Sequence, residues 1–280
     1  MKQELVIPGL VRLSSESPPP PGWQTPYFYM IGSENYVMVD AGYKEAKTFE
    51  KLREILGYSS RKLVALILTH GHTDHAGEIK EIKDAFYPQV IAHRLELPIL
   101  KRRNLESVID RWIDGDFEIE TELGKLKAVF TPGHSPGHLS FYLENKGILF
   151  SGDLVVGEGT SFVGPPDGDM MDYMESLKRV QALKSHLILP GHGPLVRDTE
   201  KHLKDLIEHR ELREYQILRI LSRGKLTTKE LVREIYAGLI HPALLTVAEI
   251  TVLGHLNKLE KEGKVIKSSM GTETVYSLVR

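Results

Sequence analysis

Thr69-His70-Gly71-His72-Thr73-Asp74-His75 places three imidazoles and a carboxylate within six positions, directly after the apolar run Leu63-Val64-Ala65-Leu66-Ile67-Leu68. Neutral imidazole and carboxylate together are the donor set of zinc or a similar first-row ion. A run of Leu, Val and Ile that stops at polar residues reads as a buried strand emptying into a loop, where binding groups are displayed. His70 and His72, two apart, cannot share a helix face, but an extended strand end can aim both into one site. Asp74 is expected to cap a helix over residues 76–86, which would hold its carboxylate and His75 beside the first pair. The bland alternative is a His-rich surface loop or a set of satisfied core histidines; four ligand-type residues this close together weigh against it.

The same arrangement recurs along the chain. Strands expected over 126–130 and 139–143 enclose Thr131-Pro132-Gly133-His134-Ser135-Pro136-Gly137-His138, whose prolines and glycines force a rigid turn presenting His134. His138, four residues on, reads as a support for a ligand or as structural. The apolar run 147–150 ends in Ser151-Gly152-Asp153, and 187–189 ends in Pro190-Gly191-His192-Gly193. Four buried strands ending in Gly-containing loops with metal-type residues point to one sheet system with ligands gathered along an edge. Asp40, in Asp40-Ala41-Gly42 after another strand, and His138 are candidates to hydrogen-bond the ligands and fix their tautomers.

The elements that must position these residues follow from the rest of the pattern. Residues 27–31 and 36–39 read as strands joined by Gly32-Ser33-Glu34-Asn35, 44–56 as a helix, 90–93 as a strand and 94–108 as loosely helical. The proline-rich stretch 14–22 can be neither helix nor central strand and reads as a solvated connector. His93 is read as structural, and Lys101-Arg102-Arg103 as a solvated helix face dispensable for small esters. From Thr199 the composition turns to a long charge-rich helix reaching about residue 222. Thr227 is a plausible N-cap for a helix over 229–236; another helix over 247–262 and a hairpin of 265–267 with 274–276 follow. Three helices and a hairpin are the order of a winged helix.

Composition bounds the function. With 280 residues, 41% hydrophobic and 26% charged, the chain can bury a sizeable core. A net charge of -2 and a pI near 6.6 give no global drive toward nucleic acid or an anionic membrane. Residues 201–280 nevertheless carry fourteen Lys or Arg against ten Asp or Glu, a mild excess that favours a structural or dimerising role for the winged helix over a nucleic-acid one. There is no cysteine, so disulfides and thiolate ligands are excluded and any metal is held by nitrogen and oxygen. No apolar stretch approaches the ~18 residues of a membrane span, and no secretory segment follows Met1. A cytoplasmic protein without membrane contact is expected.

His70-x-His72-x-Asp74-His75 with His134, Asp153 and His192 resembles the metallo-β-lactamase superfamily over residues from about 5 to 200. Residues 152–160, 172–177, 190–194 and 209–214 are similar to the lactamase-beta-2-like group, which also carries a C-terminal winged helix. The resemblance implies an α/β fold: a four-layer αβ/βα sandwich over 1–200 as the catalytic domain, with a small winged-helix domain over 201–280. It implies that His70, His72 and His134 hold a first metal, that Asp74, His75 and His192 hold a second, and that Asp153 bridges. The cofactors would be two zinc ions, with iron or manganese as compatible alternatives. Lactamases with a cysteine ligand differ at the bridging position, so lactam hydrolysis is not expected.

Two cations would lower the pKa of a shared water, giving a hydroxide nucleophile for an ester, thioester or phosphodiester, with Asp74 orienting it and accepting its proton. Some members of the family are single-stranded RNA endonucleases, so the substrate is either a small ester or thioester or an RNA. From another class, the chain would be a nucleic-acid-binding regulator with a vestigial metal site; suitable residues at all seven positions argue against decay. A mononuclear iron oxygenase needs only two histidines and one carboxylate, and His75 and His192 go beyond it. Removing 201–280 is expected to alter substrate preference or solubility before metal binding. Natural substrate and oligomeric state do not follow from ligand identity.

Overall fold

A computed structural model describes residues 2–14, 24–44, 48–57, 60–236, 241 and 244–279. Most of the proline-rich connector and the start of the helix expected over 44–56 lie outside the described residues. The first sheet has seven strands in chain order, β1 (Lys2–Ile7), β2 (Leu10–Ser14), β3 (Tyr27–Ile31), β4 (Asn35–Val39), β5 (Lys62–Ile67), β6 (Gln89–His93) and β7 (Arg111–Ile113). It is antiparallel up to β4 and parallel from β4 to β7. The second sheet comprises β8 (Glu118–Thr121), β9 (Gly124–Phe130), β10 (Leu139–Leu143), β11 (Ile148–Gly152) and β12 (Leu187–Pro190). Its β11 and β12 run parallel and the rest antiparallel.

The apolar sequence of β5 is explained by its place, because a strand inside a parallel segment is covered on both faces, as this one is from Ala65 onward while Val64 stays exposed. Leu63, Leu66 and Leu68 pack into one core with α1 (Thr48–Leu56), α2 (Ile79–Phe86) and α3 (Leu97–Lys101). Ala65 and Ile67 point the other way, into the core between the sheets, where they join Tyr29, Val37, Phe141, Phe150 and Leu189. Leu66 and Ile67 are fully buried, each worth roughly 1.5–3 kcal/mol on that account. The outer face of the second sheet packs through Leu149 and Ile188 on α4 (Met170–Ala182) and α5 (Thr199–Leu221). Helix, sheet, sheet and helix make the expected four layers.

A fourth core is built from α5, α6 (Thr228–Tyr236), α7 (Leu245–Lys261), β13 (Val265–Met270) and β14 (Glu273–Leu278), around Leu231, Val252, Leu256 and Tyr276. Thr227 caps α6 as expected: its hydroxyl accepts the Glu230 N–H while the Glu230 carboxylate accepts the Thr227 N–H. α5 serves two cores, through Leu203 and Leu206 in one and Ile217 and Leu221 in the other. The expected division at residue 200 therefore falls at the start of a shared helix.

The expected cap at Asp74 fails. Asp74 does not cap α2, which begins at Ile79 rather than 76 and has Glu78 at its N-cap. Residues 72–77 instead fold as turns tied to the end of β4: Ala41 N–H donates to His75 O and Gly77 N–H to Gly42 O, each at 2.7 Å. These bonds hold His75 against the sheet and leave the Asp74 carboxylate facing His192. The Glu78 carboxylate accepts the Phe49 N–H in the first turn of α1.

Candidate metal centre

The carboxyl ends of β5, β11 and β12 and the β9–β10 turn converge, as a sheet with parallel strands allows. His70, His72 and His134 form one group, and Asp74, His75, Asp153 and His192 a second; within each, the ligand-type atoms lie within 4.8 Å of one another. Nitrogens and oxygens bound at ~2.0–2.1 Å to a tetrahedral ion stand roughly 3.3 Å apart. His72 Nδ1 is 2.9 Å from His134 Nε2, and His75 Nε2 is 3.3 Å from His192 Nε2. His192 Nε2 lies 3.1 Å from Asp74 Oδ2. Asp153 reaches both groups, with Oδ1 3.2 Å from His75 Nε2 and Oδ2 3.4 Å from His192 Nε2 and 3.6 Å from His134 Nε2.

Every one of these imidazoles has its far nitrogen tied outward. His75 Nδ1 meets Asp40 Oδ2 at 2.8 Å, His134 Nδ1 donates to Phe162 O at 2.8 Å and His192 Nδ1 to Gln24 O at 3.1 Å. His70 Nδ1 lies 3.0 Å from the Thr69 hydroxyl, which donates to Asp40 Oδ2. His72 Nε2 faces Asp167 Oδ2 at 3.5 Å. The inward nitrogens are thereby aimed at common points, the arrangement that fixes ring orientation and raises basicity around metals. His70 Nε2 is buried and has no hydrogen-bond partner among the described residues. A cation offers that atom the partner it lacks.

The electrostatics differ between the halves. Burial drives His70 and His138 well below the ordinary imidazole range and His134 down to about 4, so these rings are neutral. Burial would also lower His75 and His192, but Asp153, joined by Asp40 and Asp74 at His75 and by Asp74 at His192, outweighs it; His75 is held well above its ordinary value and His192 is pushed up to about 10. Asp153 and Asp74, whose burial alone would favour the neutral acid, are held well below the carboxylate range by those imidazoles. The carboxylates thus favour the protonated form at His75 and His192, a positive charge that a bound cation would otherwise supply.

Backbone geometry brings the donors this close. Gly191 is required beside His192, because a Cβ there would stand 2.4 Å from Asp153 Oδ1 and 2.7 Å from His75 Cε1. Asp40 itself adopts φ +61°, a left-handed conformation that Asp tolerates and that turns its carboxylate back onto Thr69 and His75. The Tyr29 hydroxyl donates to Pro190 O at 2.6 Å and Tyr27 N–H to Gly191 O at 2.7 Å, fastening the His192 loop to β3.

The seven positions named as ligands lie in the two groups, and Asp40 Oδ2 lies 2.8 Å from His75 Nδ1. His138 packs its ring 5.3 Å from that of His70 and hydrogen-bonds the backbone of a ligand rather than its side chain: its Nε2 accepts the Asp153 N–H at 3.1 Å and its Nδ1 meets Thr131 Oγ1 at 2.9 Å. His93 accepts the Leu95 N–H and stacks on Phe130, a structural histidine. The reading of Lys101-Arg102-Arg103 as a solvated face is corrected for Arg103; Arg102 stays exposed but makes an anion contact. Arg102 Nη2 holds both oxygens of Asp167 at 2.8 Å, and half-buried Arg103 donates to Gly71 O at 3.0 Å.

Glu96 and Asp167 escaped the sequence reading. Nothing near Glu96 marks it, whereas Pro165-Pro166-Asp167-Gly168 is a turn signal that could have drawn attention to Asp167.

Comparison with known proteins agrees with this geometry. The Metallo-beta-lactamase superfamily model matches residues 20–192, and the Beta-lactamase associated winged helix domain matches residues 227–272. The chain belongs to the metallo-beta-lactamase superfamily. The beta-lactamase-like protein 2 homolog of Caenorhabditis elegans is 30% identical over 269 residues, covering 94% of this chain and 88% of that protein. An atrochrysone carboxyl ACP thioesterase of Aspergillus fumigatus is 26% identical over 249 residues, covering 84% of this chain and 76% of that one. In fold, a metallo-beta-lactamase family protein of Thermus thermophilus superposes with a TM-score of 0.79 at 23% identity, over 98% of this chain and 99% of that one. This superfamily hydrolase carries a His/Asp cluster able to hold metal ions. No helix among the described residues is long and apolar enough to cross a membrane.

Proposed function

We propose that this chain is a dinuclear zinc-dependent hydrolase of small esters or thioesters, working in the cytoplasm. His70, His72 and His134 would hold one ion, Asp74, His75 and His192 the other, and Asp153 would lie between them. The observation that carries this reading is the outward tethering of the imidazoles, which aims their inward nitrogens at ligand spacing, one of them the buried and unpartnered His70 Nε2. Two bound cations would supply Lewis acidity to a water molecule and to the scissile carbonyl.

The chain's own residues contribute the rest. Asp74 is the most exposed of the second group's carboxylates and is kept ionised by its neighbours. It can orient a water and accept its proton. Asp40 and Thr69 hold the orientation of His75 and His70 as substrate exchanges. Support for a thioester comes from the Aspergillus fumigatus relative, whose name is that of an acyl-carrier thioesterase. We assign catalysis to residues 1–200 and a supporting role to the winged-helix unit of 201–280.

Elemental analysis of purified protein, then stripping with a chelator and restoration with zinc, tests the metal reading. About two zinc per chain and restored turnover are expected; hydrolysis indifferent to stripping would overturn it. Parallel assays on an acyl thioester, a lactone, a phosphodiester and single-stranded RNA test the substrate. Cleavage of RNA that weakens steeply with salt would replace the thioester by a polyanion, and binding of nucleic acid without turnover would make the chain a regulator.

A further inference from the structure

Three successive carbonyls in the segment after β11 face different partners. Ser161 O accepts from Arg210 Nη2 of α5 at 2.5 Å. Phe162 O accepts from His134 Nδ1 at 2.8 Å. Val163 O lies against Gly254 of α7, so close that a Cβ on Gly254 would stand 2.8 Å from it. The next residue, Gly164, is packed so tightly on α7 that its own Cβ would meet Ile250 O at 2.5 Å. The carbonyl that sets the tautomer of His134 is thus fixed between one contact from α5 and one from α7.

Arg210 is built for this place. It is 2% exposed, its guanidinium lies 5.2 Å from the Tyr173 ring centre, and Tyr173 is the residue against which Gly133, next to His134, is packed. A second link runs through Asp169, which caps α4, receives Lys261 of α7 and donates its N–H to Gly133 O. Between these points Asp167 faces His72. Residues 161–169 therefore touch two of the three first-group histidines on one side and the C-terminal helices on the other.

We propose that Arg210 and the α7 surface at Gly254 are positioning elements for His134, so that seating of the C-terminal helices sets the metal affinity of the His70, His72, His134 half-site. The inference rests on the proposed metal reading and reverses the expectation that the C-terminal region acts on substrate before metal. Partners of ligating histidines typically contribute about 10–100-fold to metal affinity. Here the partner is a backbone carbonyl, so its placement depends on what holds the chain around it.

The test uses the full chain with Arg210→Met, Arg210→Lys and, independently, Gly254→Val. Metal-free protein is titrated with cobalt(II) and read by visible absorbance, with the first half-site isolated by His192→Ala and the second by His70→Ala. Arg210→Met and Gly254→Val should weaken the first half-site about 10–100-fold and leave the second unchanged, while Arg210→Lys should recover most of the loss. Equal weakening of both half-sites would mean general loosening, and unchanged affinity in both would mean no coupling; either overturns the proposal. Histidine ring nitrogen NMR of the metal-free variants decides the matter separately. His134 should hold a single Nδ1–H tautomer in the parent chain and average between tautomers in Arg210→Met. If the parent takes up no cobalt the metal reading falls, and an unchanged His134 signal in the variant would overturn the positioning role as well.

Discussion

Glu96 Oε2 accepts the N–H of Gly71 at 2.7 Å, inside the turn that carries His70 and His72. Its other oxygen accepts the Gly137 N–H and the Ser135 hydroxyl, each at 2.7 Å, from the turn that carries His134. Burial raises the Glu96 carboxyl, and these three donors oppose it. One carboxylate therefore fastens the two loops of the first group to each other.

Glu96→Gln keeps the shape but sets an amide NH2 against a backbone N–H, whichever way it turns. A buried donor left unpaired costs about 1–3 kcal/mol. Urea unfolding should show a loss of that order, accompanied by reduced metal content. A stability within about 0.5 kcal/mol of the parent would place Glu96 among ordinary surface-like positions and remove it from the support of the site.

Glu122 makes a comparable link at the opposite end of the sheets. From the β8–β9 turn it accepts the N–H groups of Ser33, Glu34 and Asn35 and the Ser33 hydroxyl, so it bridges to the β3–β4 turn. These bonds, that to Asn35 foremost, pull its carboxyl down from 4.5 to about 2. A folded-state pKa below the unfolded one adds stability that is complete above the unfolded value and disappears as pH falls through the folded value. The melting temperature of Glu122→Gln should therefore lie below the parent's at pH 6, and the gap should close between pH 4.5 and about 2. A gap independent of pH would show that the ionised carboxylate is not what the turn uses.

Thr227 tests the C-terminal unit alone. Its hydroxyl and the Glu230 carboxylate satisfy each other's backbone donors at the start of α6. Thr227→Ala should cost about 1 kcal/mol, visible in unfolding of the C-terminal core around Leu231 and Leu256, with metal content unchanged. Loss of metal on so mild a change would extend the coupling argued for Arg210 to the far side of the unit.

Residues whose role depends on local pattern were legible in the sequence. β5 announces itself by its apolar run, His134 by the prolines and glycines around it, and Thr227 by its spacing to Glu230. The four-layer sandwich came from resemblance carried by seven site residues, since periodicity alone gives strands without their order. What stayed hidden depends on contacts distant in sequence. Glu96 meets partners 25 and 41 positions away, Arg210 one that is 49 away, and Arg102 one that is 65 away. The failed cap at Asp74 has the same cause: its composition suits a helix start, but bonds from Ala41 and Gly77 fold residues 72–77 onto β4 instead.

Asp153 is where the two groups join, and its replacement separates the proposed chemistry from mere packing. Its carboxylate lies 3.2 Å from His75 Nε2 and 3.4 Å from His192 Nε2, and against the effect of burial its charge and hydrogen bond, joined by the hydrogen bond to Asp74, lift His192 to about 10. At pH 7 the metal-free parent therefore carries a proton on His192 that a cation must displace, because a ligating imidazole is neutral. Calorimetry of zinc uptake in buffers of different ionisation enthalpy should show net proton release in the parent. Asp153→Asn removes the charge with little change of shape, so the His192 pKa of the metal-free chain should fall, and metal content and hydrolysis should be lost together. Near-normal turnover with an unaltered His192 titration would mean that Asp153 neither bridges the half-sites nor sets their charge.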